Sequence, residues 1–359
     1  MTTTQRRSSH SSARRRPPLS WPSGRPFRIL SIDGGGIRGI FPASVLAHFE
    51  AKYLCGRSVG GYFDLVTGTS TGGIIALGLG TGLTATELAQ MYISRGCEVF
   101  PPPGRIARLW RRVSRYIKHR YDRQALQTML TEKFGDRRVQ DSLVRLCVPA
   151  LEGQHGEVNI YKTPHHPDYY LDGAKQMLTV ALATSAAPTY FQPLVDGGHI
   201  LVDGGVWANN PIMVGLVDAL TCFELARTDV QILSLGCGDG PYEFSKSQTA
   251  GGGLLAWRDL IFTAMRLQSQ NALGQARLLV GPENIFRIDC PELTPPIDLD
   301  DWTLAKERLP ELATGAARQW EARLAHFFST PAIDWRREPN LELAVNAAHA
   351  AHAEHARLG

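Results

Sequence analysis

Two glycine-rich pieces hold the residues with the most evident chemistry. Gly68-Thr-Ser-Thr-Gly72 sets Ser70 between glycines, after the apolar run 62–67 and before the apolar run 72–79. A serine on a sharp strand-to-helix turn presents its hydroxyl for attack, and such a turn needs small neighbours. The helix start behind it adds partial positive charge beside the attacking oxygen. Upstream lies Ser31-Ile-Asp-Gly-Gly-Gly-Ile-Arg-Gly39. Its consecutive glycines Gly34, Gly35 and Gly36 free backbone N–H groups to converge on one developing oxyanion, with Gly39 closing the piece. Arg38 either adds positive charge there or braces the loop. Together the two pieces describe acyl transfer through an activated serine.

A rival reading of the first piece is nucleotide binding, since Gly34, Gly36 and Gly39 fit G-x-G-x-x-G. That fingerprint wants an acidic residue closing a second strand, and the segment 51–62 carries none. A phosphate-cradling P-loop is excluded too, because no Gly-Lys-Ser/Thr follows the glycines.

The serine needs a base. Of 11 histidines, the late ones suited to a Ser-Asp-His order are His326, His349, His352 and His355. The last three share an Ala-rich C-terminal stretch that reads as one solvated helix face. A carboxylate fits better. Asp203 ends a short apolar strand, and Gly204 and Gly205 allow another backbone to approach. An Asp held against a serine hydroxyl in a partly dry site acts as general base directly. Asp196-Gly-Gly198 spells the same triplet, but the strand after it makes it a hairpin turn.

Over residues 28–220 the chain resembles the patatin-like phospholipases, bacterial branch. The motifs are the glycine loop Asp33–Gly39, G-x-S-x-G at Gly68–Gly72, and D-G-G at Asp203–Gly205 followed by Asn209-Asn210-Pro211. The resemblance implies a three-layer α/β fold, a Ser70–Asp203 dyad, hydrolysis of glycerophospholipid esters and no metal. The spacing to Asn209-Asn210-Pro211 favours Asp203 over Asp196. The run from Ile29 to Leu46 is further similar to phospholipase effectors of anti-phage systems. That likeness implies a cyclic di- or trinucleotide activator, transient contact with the inner membrane and a homodimer or higher oligomer. A constitutive neutral-lipid or small-ester hydrolase and a non-catalytic nucleotide-binding module are the alternatives.

These motifs need a scaffold. Strand 27–32, helix 38–54, strand 62–67, helix 72–80 and helix 84–95 make a βαβα pattern. It implies a mainly parallel sheet with helices on both faces. Thr84 and Glu87 form a capping box. Strands are expected at 144–149, 157–162, 199–203 and 230–235, with a late one at 284–289. Helices are expected at 177–186, 211–225, 254–280 and 303–328. The domain plan is a basic tail over 1–26, one catalytic domain over 27–330 and a C-terminal tail or helix over 331–359. Within the domain, 97–125 reads as a basic lid-like insertion and 254–330 as helices packed on the core.

Composition sets outer bounds. With 359 residues, 43% of them hydrophobic, a large core is affordable, and the net charge of +4 implies no global attraction to anions. No apolar run reaches membrane-span length. Six scattered cysteines without a C-x-x-C pair suit reduced thiols in the cytoplasm. Residues 1–32 contain seven arginines and no acid, which reads as a solvated tail or a contact for anionic lipid. The stretch 105–123 carries Arg108, Arg112 and Arg115 among other cations, interleaved with apolar residues at near-helical spacing. A solvated helix, a lid on anionic membrane and a phosphate-binding pocket all fit it.

Overall fold

The computed structural model describes residues 17–102, 121–238 and 260–337. Its central strand, β1 (Phe27–Ile32), shows why the sheet is covered on both sides. All six residues are buried. Successive side chains point to opposite faces, so Phe27 and Ile29 join one apolar cluster while Leu30 and Ile32 join the other.

Seven more strands complete the sheet: β2 (Leu65–Gly68), β3 (Arg145–Glu152), β4 (Glu157–Lys162), β5 (Leu194–Asp196), β6 (His199–Asp203), β7 (Val230–Leu235) and β8 (Ile285–Ile288). The order is β5-β6-β3-β2-β1-β7-β8, with β4 also on β3. From β3 to β8 neighbours run parallel. Beyond β3 the sheet is antiparallel through β4, β6 and β5. The sheet is thus mixed around a parallel centre.

On one face lie α1 (Ile40–Tyr53), α2 (Thr71–Gly80), α3 (Ala85–Val99), α4 (Gln124–Phe134), α5 (Met177–Thr184) and the long α9 (Trp302–Leu324). Every residue of α2 is buried, as expected of a helix that is apolar all round. The other face holds α7 (Ile212–Cys222) and α8 (Leu260–Val280). A single turn, α6 (Gly205–Ala208), joins β6 to α7. The Thr84–Glu87 capping box is present at the start of α3. No described helix is long and apolar enough to cross a membrane.

Some boundaries differ from the sequence expectations for identifiable reasons. β2 starts later than residue 62 because Val59–Tyr62 forms a 3-10 turn capped by Ser58. α7 stops before 225 because its end pairs with Leu19, whose N–H donates to the Cys222 carbonyl at 2.7 Å and whose carbonyl accepts from Glu224 at 2.8 Å. α4 has no counterpart among the expected elements.

The packed unit also extends beyond 27–330 at both ends. Trp21 lies against Phe27 and Phe223. Arg25 donates to the Pro331 carbonyl at 2.9 Å, Ala332 donates to Gly61 at 2.8 Å, and Trp335 is buried. Most of the basic insertion, with Arg108, Arg112 and Arg115, lies outside the described residues, as do His349, His352 and His355.

Candidate active site

The loops that follow β1, β2, β7 and β8 all leave the carboxyl ends of parallel strands, the edge where open α/β sheets bind ligands. Ser70 stands there between β2 and α2, with φ 55°. For a non-glycine residue this is the strained left-handed region, and it turns the side chain out of the sheet. The sharpness depends on Gly68 and Gly72: a methyl on Gly68 would lie 2.1 Å from the Gly72 carbonyl oxygen. The Ser70 N–H donates to Thr184 Oγ1 at 3.0 Å, and that hydroxyl donates to the Pro149 carbonyl at 2.6 Å. Thr69 Oγ1 donates to the Ala208 carbonyl at 2.6 Å, tying the serine turn to α6.

Asp203 reaches the same point from β6. Pairing with β3 sets it opposite Ala150, and its N–H donates to the Ala186 carbonyl at 3.1 Å. Its carboxylate is buried and accepts from the Ser70 hydroxyl and from the Gly205 N–H, the latter at 2.7 Å. Burial pushes the carboxyl up to about 7, against the opposing pull of these two donors. Gly204 caps α6 and packs on Pro149. Asp196 sits elsewhere: it ends β5, pairs with His199 across a tight turn and binds Lys175 Nζ at 2.7 Å.

The glycine loop lies against Ser70. A methyl on Gly34 would stand 3.4 Å from Ser70 Cβ and 2.5 Å from Asn209 Oδ1, so only glycine lets the two loops meet. The Gly34 N–H is already committed, donating to the Asn209 carbonyl at 2.9 Å. This removes it from the three donors expected of the loop. The Gly35 and Gly36 N–H groups have no acceptor among the described residues. Gly36–Gly39 then forms a 3-10 turn leading into α1. Arg38 braces: its guanidinium donates to the carbonyls of Gly35 and Gly238.

Sequence reasoning missed the partner of Asp33. Arg287 on β8 donates to Asp33 Oδ2 at 2.7 Å, to Asp289 Oδ2 at 2.5 Å and to Ser234 Oγ at 2.8 Å. Burial opposes its charge, but the two carboxylates outweigh that and hold it more firmly protonated than usual. Asp289 in turn accepts the Gly238 N–H at 2.9 Å. Asp33, Arg287, Asp289, Gly238, Arg38 and Gly35 therefore close a ring around the glycine loop. A charged residue inside the apolar strand 285–288 was the available signal. Thr184 carried none.

Among the described residues, Cys147, His165 and Asp218 could hold a metal, with ligand atoms within 4.8 Å of one another. Asp218 is taken, however: Lys162 Nζ and Tyr169 OH each donate to its Oδ1 at 2.7 Å, and His165 Nε2 lies 2.8 Å from Oδ2. Burial disfavours its charge, yet Lys162 and His165 prevail and keep the carboxyl below its usual range. The cluster is a hydrogen-bonded hub under α7.

A buried acid against a strained serine, next to a glycine loop whose Gly35 and Gly36 N–H groups are unengaged among the described residues, can form and break an acyl ester. A family profile described as patatin-like phospholipase matches residues 30–216. A Vibrio cholerae protein named cGAMP-activated phospholipase is 38% identical over 273 residues, covering 70% of this chain and 76% of its own. A Pseudomonas aeruginosa protein of the same name is 33% identical, covering 73% and 78%. The solved structure of VipD from Legionella pneumophila aligns with a TM-score of 0.43 at 13% identity, over 83% of this chain and 67% of that one. The chain belongs to the patatin-like phospholipase family, enzymes that hydrolyse lipid esters.

Proposed function

We propose that Ser70 and Asp203 are the nucleophile and base of a phospholipase acting on membrane glycerophospholipids, switched on by a cyclic oligonucleotide. The observation that carries this reading is the hydrogen bond from the Ser70 hydroxyl to a buried carboxyl poised near neutrality. Asp203 takes the Ser70 proton as the oxygen attacks the ester carbonyl. The Gly35 and Gly36 N–H groups receive the oxyanion, each well-placed donor contributing about 3–4 kcal/mol. The proton on Asp203 passes to the departing lysolipid oxygen. Water then attacks the acyl-enzyme, with Asp203 again the base.

The activator is a cyclic di- or trinucleotide, and cGAMP is the first to test, given the names of the relatives from Vibrio cholerae and Pseudomonas aeruginosa. Arg108, Arg112 and Arg115 are the proposed contacts for the activator or for anionic membrane. In this reading the chain works as a homo-oligomer from the cytoplasm, touches the inner membrane peripherally and serves anti-phage defence.

The test is fatty-acid release from phosphatidylethanolamine–phosphatidylglycerol vesicles, with and without cGAMP, beside Ser70→Ala. Release that needs both cGAMP and Ser70 is the expected result. Release without nucleotide would leave a constitutive lipase and remove the switch. Undiminished release by Ser70→Ala would overturn the dyad.

A further inference from the structure

The antiparallel wing of the sheet carries an exposed apolar face. In the β5–β6 hairpin Val195 pairs with Ile200. On β6 and β4, Val202 and Val158 both pair with Leu151 of β3. Paired residues share a face, as do residues two apart on one strand, so these five aliphatic side chains lie together. Val195 is 70% exposed, Val158 57% and Ile200 40%. The opposite face holds the buried Leu201 and Ala150. An antiparallel sheet with one face on the core commonly turns polar residues outward, whereas here both faces are apolar.

The helix that covers this side of the sheet stops short of the patch. Along β4 the same face carries Lys162, which donates to Asp218 of α7 at 2.7 Å. Ile160 follows, packed against the α7 cluster, and then the exposed Val158. The patch also lies beside the candidate dyad. Thr67, next to last in β2, is level with Cys147, so Leu151 stands about 13 Å farther along β3. The wing thus juts past the sheet edge where Ser70 sits. Val202 adjoins Asp203, and Ile200 is about 10 Å from it along β6. Two acids of the wing are paired: Lys175 binds Asp196 at 2.7 Å, and His155 Nδ1 lies 3.0 Å from Glu152 Oε2.

Building on the reading of a phospholipase that works at the membrane, we propose that this wing docks on the lipid bilayer, with Val158, Val195 and Ile200 entering the boundary between head groups and acyl chains. Size favours lipid over a second copy of the chain. The patch offers on the order of 300 Å² of apolar surface, whereas a stable protein interface needs about 800 Å² per partner. A bilayer sets no such minimum, because binding grows with the apolar area inserted. Weak contact also suits an enzyme that must reach one lipid after another. Position favours it as well: enzymes of this family hydrolyse lipid esters, and the patch is continuous with the strand that carries Asp203. The contact is apolar, so salt does not screen it.

The test uses full chains with cGAMP present and phosphatidylcholine vesicles, whose head groups carry no net charge. One variant combines Val158→Thr, Val195→Thr and Ile200→Thr, which keep β-branched side chains while making them polar. A second, Val195→Trp, enlarges the apolar surface with a residue suited to the membrane boundary. Vesicle flotation at about 0.1 M and 1 M salt measures binding, and p-nitrophenyl butyrate measures turnover away from lipid. The triple variant should bind vesicles about tenfold to a hundredfold more weakly, as three lost apolar contacts predict, and should hydrolyse the soluble ester within about twofold of wild type. Val195→Trp should bind more tightly, which keeps the test open if the triple variant does not fold. Binding should be equal at both salt concentrations. Vesicle binding unchanged in both variants, or abolished by salt, would overturn the docking role. So would a wild-type dimer that the triple variant loses while its vesicle binding stays intact, since the face would then join two copies. Ser70→Ala should still bind vesicles; a wild type that binds them but hydrolyses neither ester would overturn the Ser70–Asp203 reading and leave the docking surface standing.

Discussion

Asp203→Asn separates two consequences of burying an acid against Ser70. The folded protein lifts this carboxyl from the usual 3.8 to about 7, chiefly by burial. At about 1.4 kcal/mol per pH unit, that difference corresponds to about 4 kcal/mol of stability. The unfolded chain releases the proton near 3.8, whereas the folded chain keeps it until about 7. Stability therefore falls as pH rises between the two values and is level above them. Asparagine carries no charge and still offers an oxygen to the Gly205 N–H. The variant should exceed wild type by about 2–4 kcal/mol at pH 8 and by about 1–2 kcal/mol at pH 5. Ester hydrolysis should fall by about 10²- to 10⁴-fold. Urea unfolding at both pH values, beside turnover of a soluble ester, measures both effects. A variant less stable than wild type at pH 8, or a gain equal at both pH values, would refute the argument that the site is costly to ionise.

Other outcomes follow from the same geometry. In wild type, kcat/KM for a soluble ester should climb with pH through about 7 and level off above it, as Asp203 ionises; a flat profile from acid to base would remove Asp203 as the base. Arg287→Met leaves Asp33 buried without its cation, so thermal and urea unfolding should show a loss of about 3–5 kcal/mol, and hydrolysis should fall with it. Gly34→Ala puts a methyl 2.5 Å from Asn209 Oδ1 and should abolish fluorophosphonate labelling while circular dichroism stays native. Thr184→Val strands the Ser70 N–H and should cost about 1–3 kcal/mol by urea titration.

The parallel centre of the fold was legible because it repeats a local signal. β1 and β2 are short apolar runs that end in glycine turns, and each leads into an apolar helix. Their loops then emerge on one edge, so the neighbourhood of Ser70 and the glycine loop follows from topology. Asp203 was legible through its glycines and its place at a strand end. Other features depend on contacts between distant segments. Gly34 looks as available as Gly35 until β6 and α6 bring the Asn209 carbonyl to its N–H. The two parts proposed for Arg38 cannot be told apart until Gly238 arrives from the loop after β7. Nothing local marks α4 or the packing of residues 17–26, since both depend on the surface they cover.

A Ser–Asp pair places a heavier demand on its surroundings than a triad. In a triad a third residue orients the base, whereas in the proposed Ser70–Asp203 pair the acid is held by its own backbone and the Gly205 N–H. It is also isolated enough to sit near neutrality instead of being pulled down by a cation. Two cations near the site are committed elsewhere: Arg287 to Asp33 and Asp289, Arg38 to backbone carbonyls. The ring they form can hold the glycine loop rigid without placing a guanidinium against Asp203. Such a cation would lower the base and weaken its pull on the Ser70 proton. The same logic explains a neutral amide at 209: it adds no second charge that would raise the base further. Asn209→Asp should therefore shift the midpoint of the kcat/KM profile above about 7, and an unmoved midpoint would mean that residue 209 does not share the field of the dyad.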